Sequence, residues 1–233
     1  MPPGRTRLAD NFETERNTIM RGMAMALAAA VFCGVAPVRA DNGVMKDGWL
    51  VLFDGEEMNG WAHTGGGTFR LDTKGKFMET VGKTGVAFYY DQKFKDFVLH
   101  LEWRTTHRNS NSGVFVRFPN LPKIKFEGDK KVNGYWMAVN EGYEVQVYDD
   151  GPPEHRTGTI IPGGDCHEKS WRDVGEWNEM DITCKGQNYT VNVNGKVINE
   201  FTGDRALEGY VGVQNHDLDK FTHYRNIRVK ELK

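Results

Sequence analysis

Glu102, Arg104, Arg117, Glu144, Gln146, Gln214 and His216 are the side chains through which this sequence could do chemistry. Carboxyl and imidazole groups can move protons, while guanidinium and amide groups bind and orient a polar ligand. All of them fall in segments where apolar and polar residues alternate, and a strand sends alternate side chains to opposite faces. Phe97, Leu99, Leu101 and Trp103 alternate with His100, Glu102 and Arg104. Val114, Val116 and Phe118 alternate with Phe115 and Arg117. Tyr143, Val145 and Val147 alternate with Glu144 and Gln146. Val211 and Val213 alternate with Gln214, and His216 follows. If these strands share a sheet, their polar sides form one surface. A plain solvated face favours Lys, Thr and Ser. Gln, Arg, Glu and His beside aromatics suit a hydrogen-bonding cleft for a polyhydroxylated ligand. Trp61, Trp136 and Trp171 lie in loops, where an indole can stack on a sugar ring.

Other chemistries lack their signatures. The His and Cys residues do not show zinc-ligand spacing. Gly65-Gly66-Gly67 does not precede a helical pattern, so it is no phosphate loop. There is no Gly-x-Ser-x-Gly elbow to present a serine nucleophile. Asp149-Asp150-Gly151 could suggest Ca²⁺, but a turn explains it as well. No metal and no cofactor are expected. A net charge of −2 with interspersed signs leaves no basic field for a phosphate backbone, so nucleic acid is not an expected partner.

The elements that must position these residues read as strands. Helical periodicity of useful length is missing after residue 41, and alternation recurs over 49–53, 68–71, 76–80, 86–89, 94–104, 113–118, 143–148, 157–160, 178–185, 188–193, 196–201, 209–214 and 222–230. Asn194-Gly195 between two alternating runs is a strong hairpin signal. So many short strands predict an all-β, two-sheet antiparallel jelly-roll sandwich. The 39% hydrophobic content can fill its core, and residues 41–233 read as one domain. The longest irregular stretches, 120–141 and 151–176, carry Tyr135, Trp136, His155, His167 and Trp171 and are read as functional loops.

Residues 1–40 read as an N-terminal extension and signal peptide. Met20-Arg21 precedes an apolar run over 23–38, and Val38-Arg39-Ala40 offers small residues at a cleavage site. Translation starts at Met20 or the preceding residues form a long leader; export to the periplasm or beyond follows either way. The run is shorter than the roughly 20 residues of a membrane span. Cys33 follows Phe32, where lipidation needs a small residue. Cys166 and Cys184 remain in the mature chain, either as a disulfide or as buried free thiols.

Motifs along the mature chain resemble the 3-keto-disaccharide hydrolase domain family. They are Leu52-Phe53-Asp54-Gly55 with Asn59-Gly60-Trp61, Leu101-Glu102-Trp103-Arg104, Asn111-Ser112-Gly113-Val114, Gly142-Tyr143-Glu144-Val145-Gln146, Thr157-Gly158, Gly175-Glu176-Trp177-Asn178, Val193-Asn194-Gly195, Gly212-Val213-Gln214-Asn215-His216 and Arg225-Asn226-Ile227-Arg228-Val229. Each is weak alone; their order is specific. The resemblance implies a concanavalin A-like sandwich, an exported protein, and hydrolysis of glycosides oxidised at C3. Two departures stand out. Ile160-Ile161-Pro162-Gly163-Gly164 replaces a Tyr and an Ala-Pro, and Asp217 follows His216 where the family usually has Gly.

A ketone at C3 acidifies the C2 proton, so a base can remove it, the C1 substituent can leave, and water can add back. Such a reaction needs a base near C2, donors at the C3 oxygen and an acid for the leaving oxygen; the expected assignment is Glu144 or His216 as base, Arg117 and Gln146 near the C3 oxygen, and Glu102 positioning or protonating. Arg104, Asn111, Gln214, Trp136 and Trp171 are then substrate-binding candidates. Two alternatives stand beside this reading. In a laminarinase-like glycosidase, Glu144 and Asp149 would occupy the positions of the paired carboxylates. A non-catalytic sugar-binding module would use the same cleft for binding alone.

Overall fold

The computed structural model describes residues 47–121, 125–127, 130–132 and 134–233. The expected leader over residues 1–40 lies outside them. Among the described residues there are fourteen strands and one short helix: β1 (Leu50–Phe53), β2 (Trp61–Asp72), β3 (Phe77–Phe94), β4 (Phe97–Thr105), β5 (Ser112–Phe118), β6 (Lys125–Glu127), β7 (Lys130–Val132), α1 (Trp136–Glu141), β8 (Tyr143–Val147), β9 (Ile160–Ile161), β10 (Asn178–Lys185), β11 (Asn188–Val193), β12 (Lys196–Thr202), β13 (Gly209–Asn215) and β14 (Thr222–Glu231).

The main sheet is antiparallel and runs β12-β11-β10-β4-β14-β3-β13-β5-β8-β9, with β1 on β14 and β2 on β3. It folds over on itself as a sandwich. Strand β3 makes the turn: Met78 and Glu79 pair with β14, while Gly85 to Phe94 pair with β13. The expected separate strands over 76–80 and 86–89 are therefore one long strand passing through both layers. Its partner β2 shifts register between Gly65 and Gly67. A Cβ at Gly67 would fall 1.9 Å from the Lys83 carbonyl oxygen, so the glycine run serves the bend of this hairpin.

Both layers send their apolar sides to one core. Leu99, Leu101 and Trp103 of β4 and Met180 and Ile182 of β10 meet Val114 and Val116 of β5, Val145 and Val147 of β8, and Val211 and Val213 of β13. Burial of these side chains drives the layers together, at about 1.5–3 kcal/mol for each large one. This packing has a consequence for the site. The polar side of β4 faces outward on one layer, and the polar sides of β8 and β13 face outward on the other. The expected single polar surface shared by all four strands does not form.

The helix α1 was not expected, because six residues are too few to show a helical period. Its Ala138 is fully buried with Val86, Phe88, Phe115 and Phe118, and Tyr135 and Val139 pack beside them. The helix thereby covers part of the outer face of the β3-β13-β5 layer and raises a wall at its edge.

Candidate active site

The pocket is built on that outer face. Strand β8 turns Tyr143, Val145 and Val147 into the core, and pairing with β5 sets Glu144 opposite Phe115 and Gln146 opposite Gly113. The Glu144 carboxyl leans over Gly113, where a Cβ would lie 2.2 Å from its Oε1. Glycine at 113 is thus the space in which the carboxyl sits. Strand β13 contributes Gln214 from the other side. A cavity of about 450 Å³ opens above, lined by Glu144, Gln146, Gln214, Asn111, His216 and Trp136, with Tyr135, Tyr148 and His155 completing its walls. That volume is within the range of small-ligand sites.

Glu144 is 5% exposed. Burial pushes its pKa up to about 8, opposed by a hydrogen bond from Gln214. At neutral pH the group is mainly a carboxylic acid and can donate a hydrogen bond. Assigned from its hydrogen-bond surroundings, the Gln146 amide nitrogen donates to the Ser112 carbonyl at 2.6 Å and to Glu144 Oε1 at 3.3 Å. Beneath them, the Ser112 hydroxyl donates to the Gln214 carbonyl at 2.5 Å and lies 2.7 Å from the Tyr224 hydroxyl. The amides around Glu144 are thus held from below. Two acceptors are left over: Gln214 Oε1 and Asn111 Oδ1 are buried without a donor from the protein. An unmatched buried acceptor is costly, and hydroxyl groups of a ligand would satisfy both.

His216 stands at the rim with its ring 45% exposed. Its Nδ1 lies 3.0 Å from Asp217 Oδ1, which leaves Nε2 as the nitrogen free to act. Across the mouth, Trp136 is 55% exposed and packs against Tyr135 with ring centroids 4.7 Å apart. An exposed indole at a polar pocket can cover the apolar face of a sugar. Trp136→Ala is expected to raise KM about tenfold with a much smaller change in kcat, measured by steady-state kinetics.

The structure thus brings together Glu144, Gln146, Gln214, Asn111, His216 and Trp136. It places four other candidates elsewhere. Glu102, on the opposite outer face, pairs with Arg225 at 2.6 Å and accepts from the Asn226 amide at 2.9 Å. Arg104 on the same strand donates from Nε to His223 Nδ1 at 2.9 Å and lies over the Trp177 ring at 4.7 Å. Strand parity was right for both; the layer was wrong.

Arg117 departs because parity itself breaks. Its φ is 56°, and the β5-β13 register shifts between Tyr210 and Val211. This bulge turns the side chain inward, where it is fully buried. It donates to the Lys95 and Gly186 carbonyls and to the Tyr189 hydroxyl, and pairs with Asp96 at 3.0 Å. Trp171 is 7% exposed and belongs to the main core. Trp61 is also buried, donating from its indole to the Leu52 carbonyl at 2.7 Å.

Asp149 does not line the pocket. It accepts from Thr157 Oγ1 at 2.7 Å, and burial pushes its pKa up to about 6. Cys166 and Cys184 are buried free thiols, and burial pushes the Cys184 pKa up to about 12, so it is inert at neutral pH. Among the described residues, no three His, Cys, Asp or Glu side chains cluster as a metal site. Tyr148, His155, Thr84 and Asp217 join the site without having been singled out for it. His155 and Tyr135 carried a weak signal, as polar and aromatic residues in long loops. Thr84 carried none.

The model of the 3-keto-alpha-glucoside-1,2-lyase-like domain matches residues 48–230, nearly the whole described chain. The chain belongs to this family. A curated relative, a 3-keto-disaccharide hydrolase of Bacteroides thetaiotaomicron, is 24% identical over 242 aligned positions, covering 81% of this chain and 80% of its own. A crystallised Parabacteroides distasonis protein described as a candidate glycosyl hydrolase superposes with a TM-score of 0.64 at 16% identity, covering 82% of this chain and 99% of its own. A Bacillus subtilis protein with a galectin-like fold superposes with a TM-score of 0.54 at 13% identity, covering 73% of this chain and 89% of its own. These structural likenesses establish the sandwich fold. Within the family's matched span lie all the pocket residues named above.

Proposed function

We propose that this protein cleaves glycosides or disaccharides oxidised at C3, by elimination across C1 and C2 followed by hydration. The observation that carries this reading is a neutral, buried Glu144 set in one pocket with an aspartate-backed imidazole and two unmatched amide acceptors. Burial keeps the Glu144 carboxyl protonated as a donor, while the Asp217 carboxylate at Nδ1 leaves His216 Nε2 as the acceptor. Family membership and the curated relative's activity support the substrate class.

In this mechanism His216 Nε2 takes the proton from C2, next to the ketone. The C–H electrons move toward C3, and charge develops on the C3 oxygen. The Glu144 carboxyl donates a hydrogen bond to that oxygen and keeps its own proton. The C1–O bond then breaks as the C1–C2 double bond forms, and the proton now on His216 passes to the leaving oxygen. Water reverses the sequence: His216 takes its proton, the oxygen bonds to C1, and the proton returns to C2. Gln214 Oε1 and Asn111 Oδ1 accept from sugar hydroxyls. The leader motif over residues 20–40 supports placing this reaction outside the cytoplasm.

The test incubates the protein with an aryl 3-keto-glucoside and with the ordinary aryl glucoside. Aglycone release from the first alone, in step with appearance of the free 3-keto sugar, is expected. Binding of the keto-glycoside without release would leave a sugar-binding module instead, and release from the ordinary glucoside would point to direct displacement.

A further inference from the structure

Asp217 touches two parts of the pocket at once. Its Oδ1 lies 3.0 Å from His216 Nδ1, and its Oδ2 accepts the Asn111 backbone N–H at 2.8 Å. The carboxylate side chain is 12% exposed, and Lys220 Nζ stands 3.9 Å from its Oδ2. His216 and Asn111 come from segments more than a hundred residues apart, after β13 and before β5, so this one carboxylate ties the two together. A carboxylate can only accept at Nδ1, which requires the proton on that nitrogen and leaves the Nε2 lone pair for the cavity.

We infer that Asp217 is a positioning residue of this site: it holds His216 in the Nδ1-protonated tautomer with Nε2 toward the ligand, and fixes Asn111 beside it. The inference rests on the elimination reading for its kinetic consequence, but the tautomer itself does not. Asp217 acts through His216 and does not touch the sugar. Its carboxylate also stabilises the imidazolium that forms when Nε2 takes the C2 proton. Besides Asp217 and Lys220, the titratable groups that share the cavity with this ring are Tyr135 before α1, Glu144 on β8, and Tyr148 and His155 after it.

Two substitutions separate this role from a merely structural one. Asp217→Asn keeps a side-chain oxygen for the Asn111 N–H but puts an amide N–H where Nδ1 needs an acceptor, so it favours the wrong tautomer. Asp217→Ala loses both contacts. The readouts are the His216 ring-nitrogen chemical shifts by long-range ¹H–¹⁵N NMR, and kcat and KM on the 3-keto-glucoside. In the wild type an Nδ1-protonated neutral ring is expected, and in Asp217→Asn a shift toward Nε2-protonated, with kcat lower by about 100-fold and KM changed little. Asp217→Ala should lose a similar factor in kcat. If Asp217→Asn keeps the wild-type tautomer and kcat while Asp217→Ala fails, the carboxylate serves the Asn111 turn only and the inference is overturned. A wild type that shows the locked tautomer but releases no aglycone would instead sink the elimination reading and leave the positioning intact. Melting curves on all three proteins exclude unfolding as the cause of a loss.

Discussion

Replacing Glu144 with glutamine, whose amide N–H is a weaker donor to the C3 oxygen than the carboxyl O–H, is expected to cut turnover of a 3-keto-glycoside by about 10- to 100-fold while making the protein more stable at neutral pH. The two effects share one cause. Burial lifts the Glu144 pKa from its ordinary 4.5 to about 8. Between those values the folded protein binds more protons than the unfolded chain, so stability falls as pH rises from 4.5 toward 8. Below 4.5 the group is protonated in both states and the penalty is absent. Glutamine removes the titration. The expected difference between wild type and Glu144→Gln, compared by urea unfolding at pH 5 and pH 7.5, grows with pH to about 4 kcal/mol. Activity has the matching sign. The carboxyl must be protonated to donate to the C3 oxygen, so wild-type kcat/KM falls above about pH 8, and this limb is absent in the glutamine variant. Wild-type activity that rises through pH 8 would make Glu144 the base and exchange its role with that of His216.

Arg117→Ala is expected to cost about 3–5 kcal/mol of stability while leaving kcat/KM of the folded fraction close to wild type. The guanidinium is fully buried, and its donors go to the Lys95 and Gly186 carbonyls and the Tyr189 hydroxyl. Truncation would leave these acceptors and the Asp96 carboxylate short of a partner. Asp96 also accepts the Gly186 N–H at 2.9 Å, so the loss reaches the β10-β11 turn. Urea unfolding reads the stability, and kinetics well below the midpoint read the activity. A large loss of kcat/KM in folded Arg117→Ala would return this residue to the site.

These two residues mark where reading the chain succeeds and where it fails. Glu144 was legible because β8 is regular over Tyr143–Val147, so alternation alone sends it away from the valines. Gln146 and Gln214 were legible for the same reason. Arg117 was not, because the bulge that reverses it arises from pairing with β13, a strand about ninety residues later. Glu102 and Arg104 failed differently. Their alternation is sound, but β14 and β3 stand between β4 and β13, and the fold-over at β3 sets their side on the other outer face.

The sequence by itself determined most strand positions, the Asn194-Gly195 turn, the core side of each regular strand and which family the motifs resemble. Period and turn chemistry are local properties, and they survive in one dimension. The tertiary structure alone decided which polar sides share a pocket, that α1 walls it, that Asp217 joins His216 to Asn111, and that Glu144 is desolvated enough to stay protonated. Those depend on strand order and on burial between distant segments, and neither is written in the spacing of neighbouring residues.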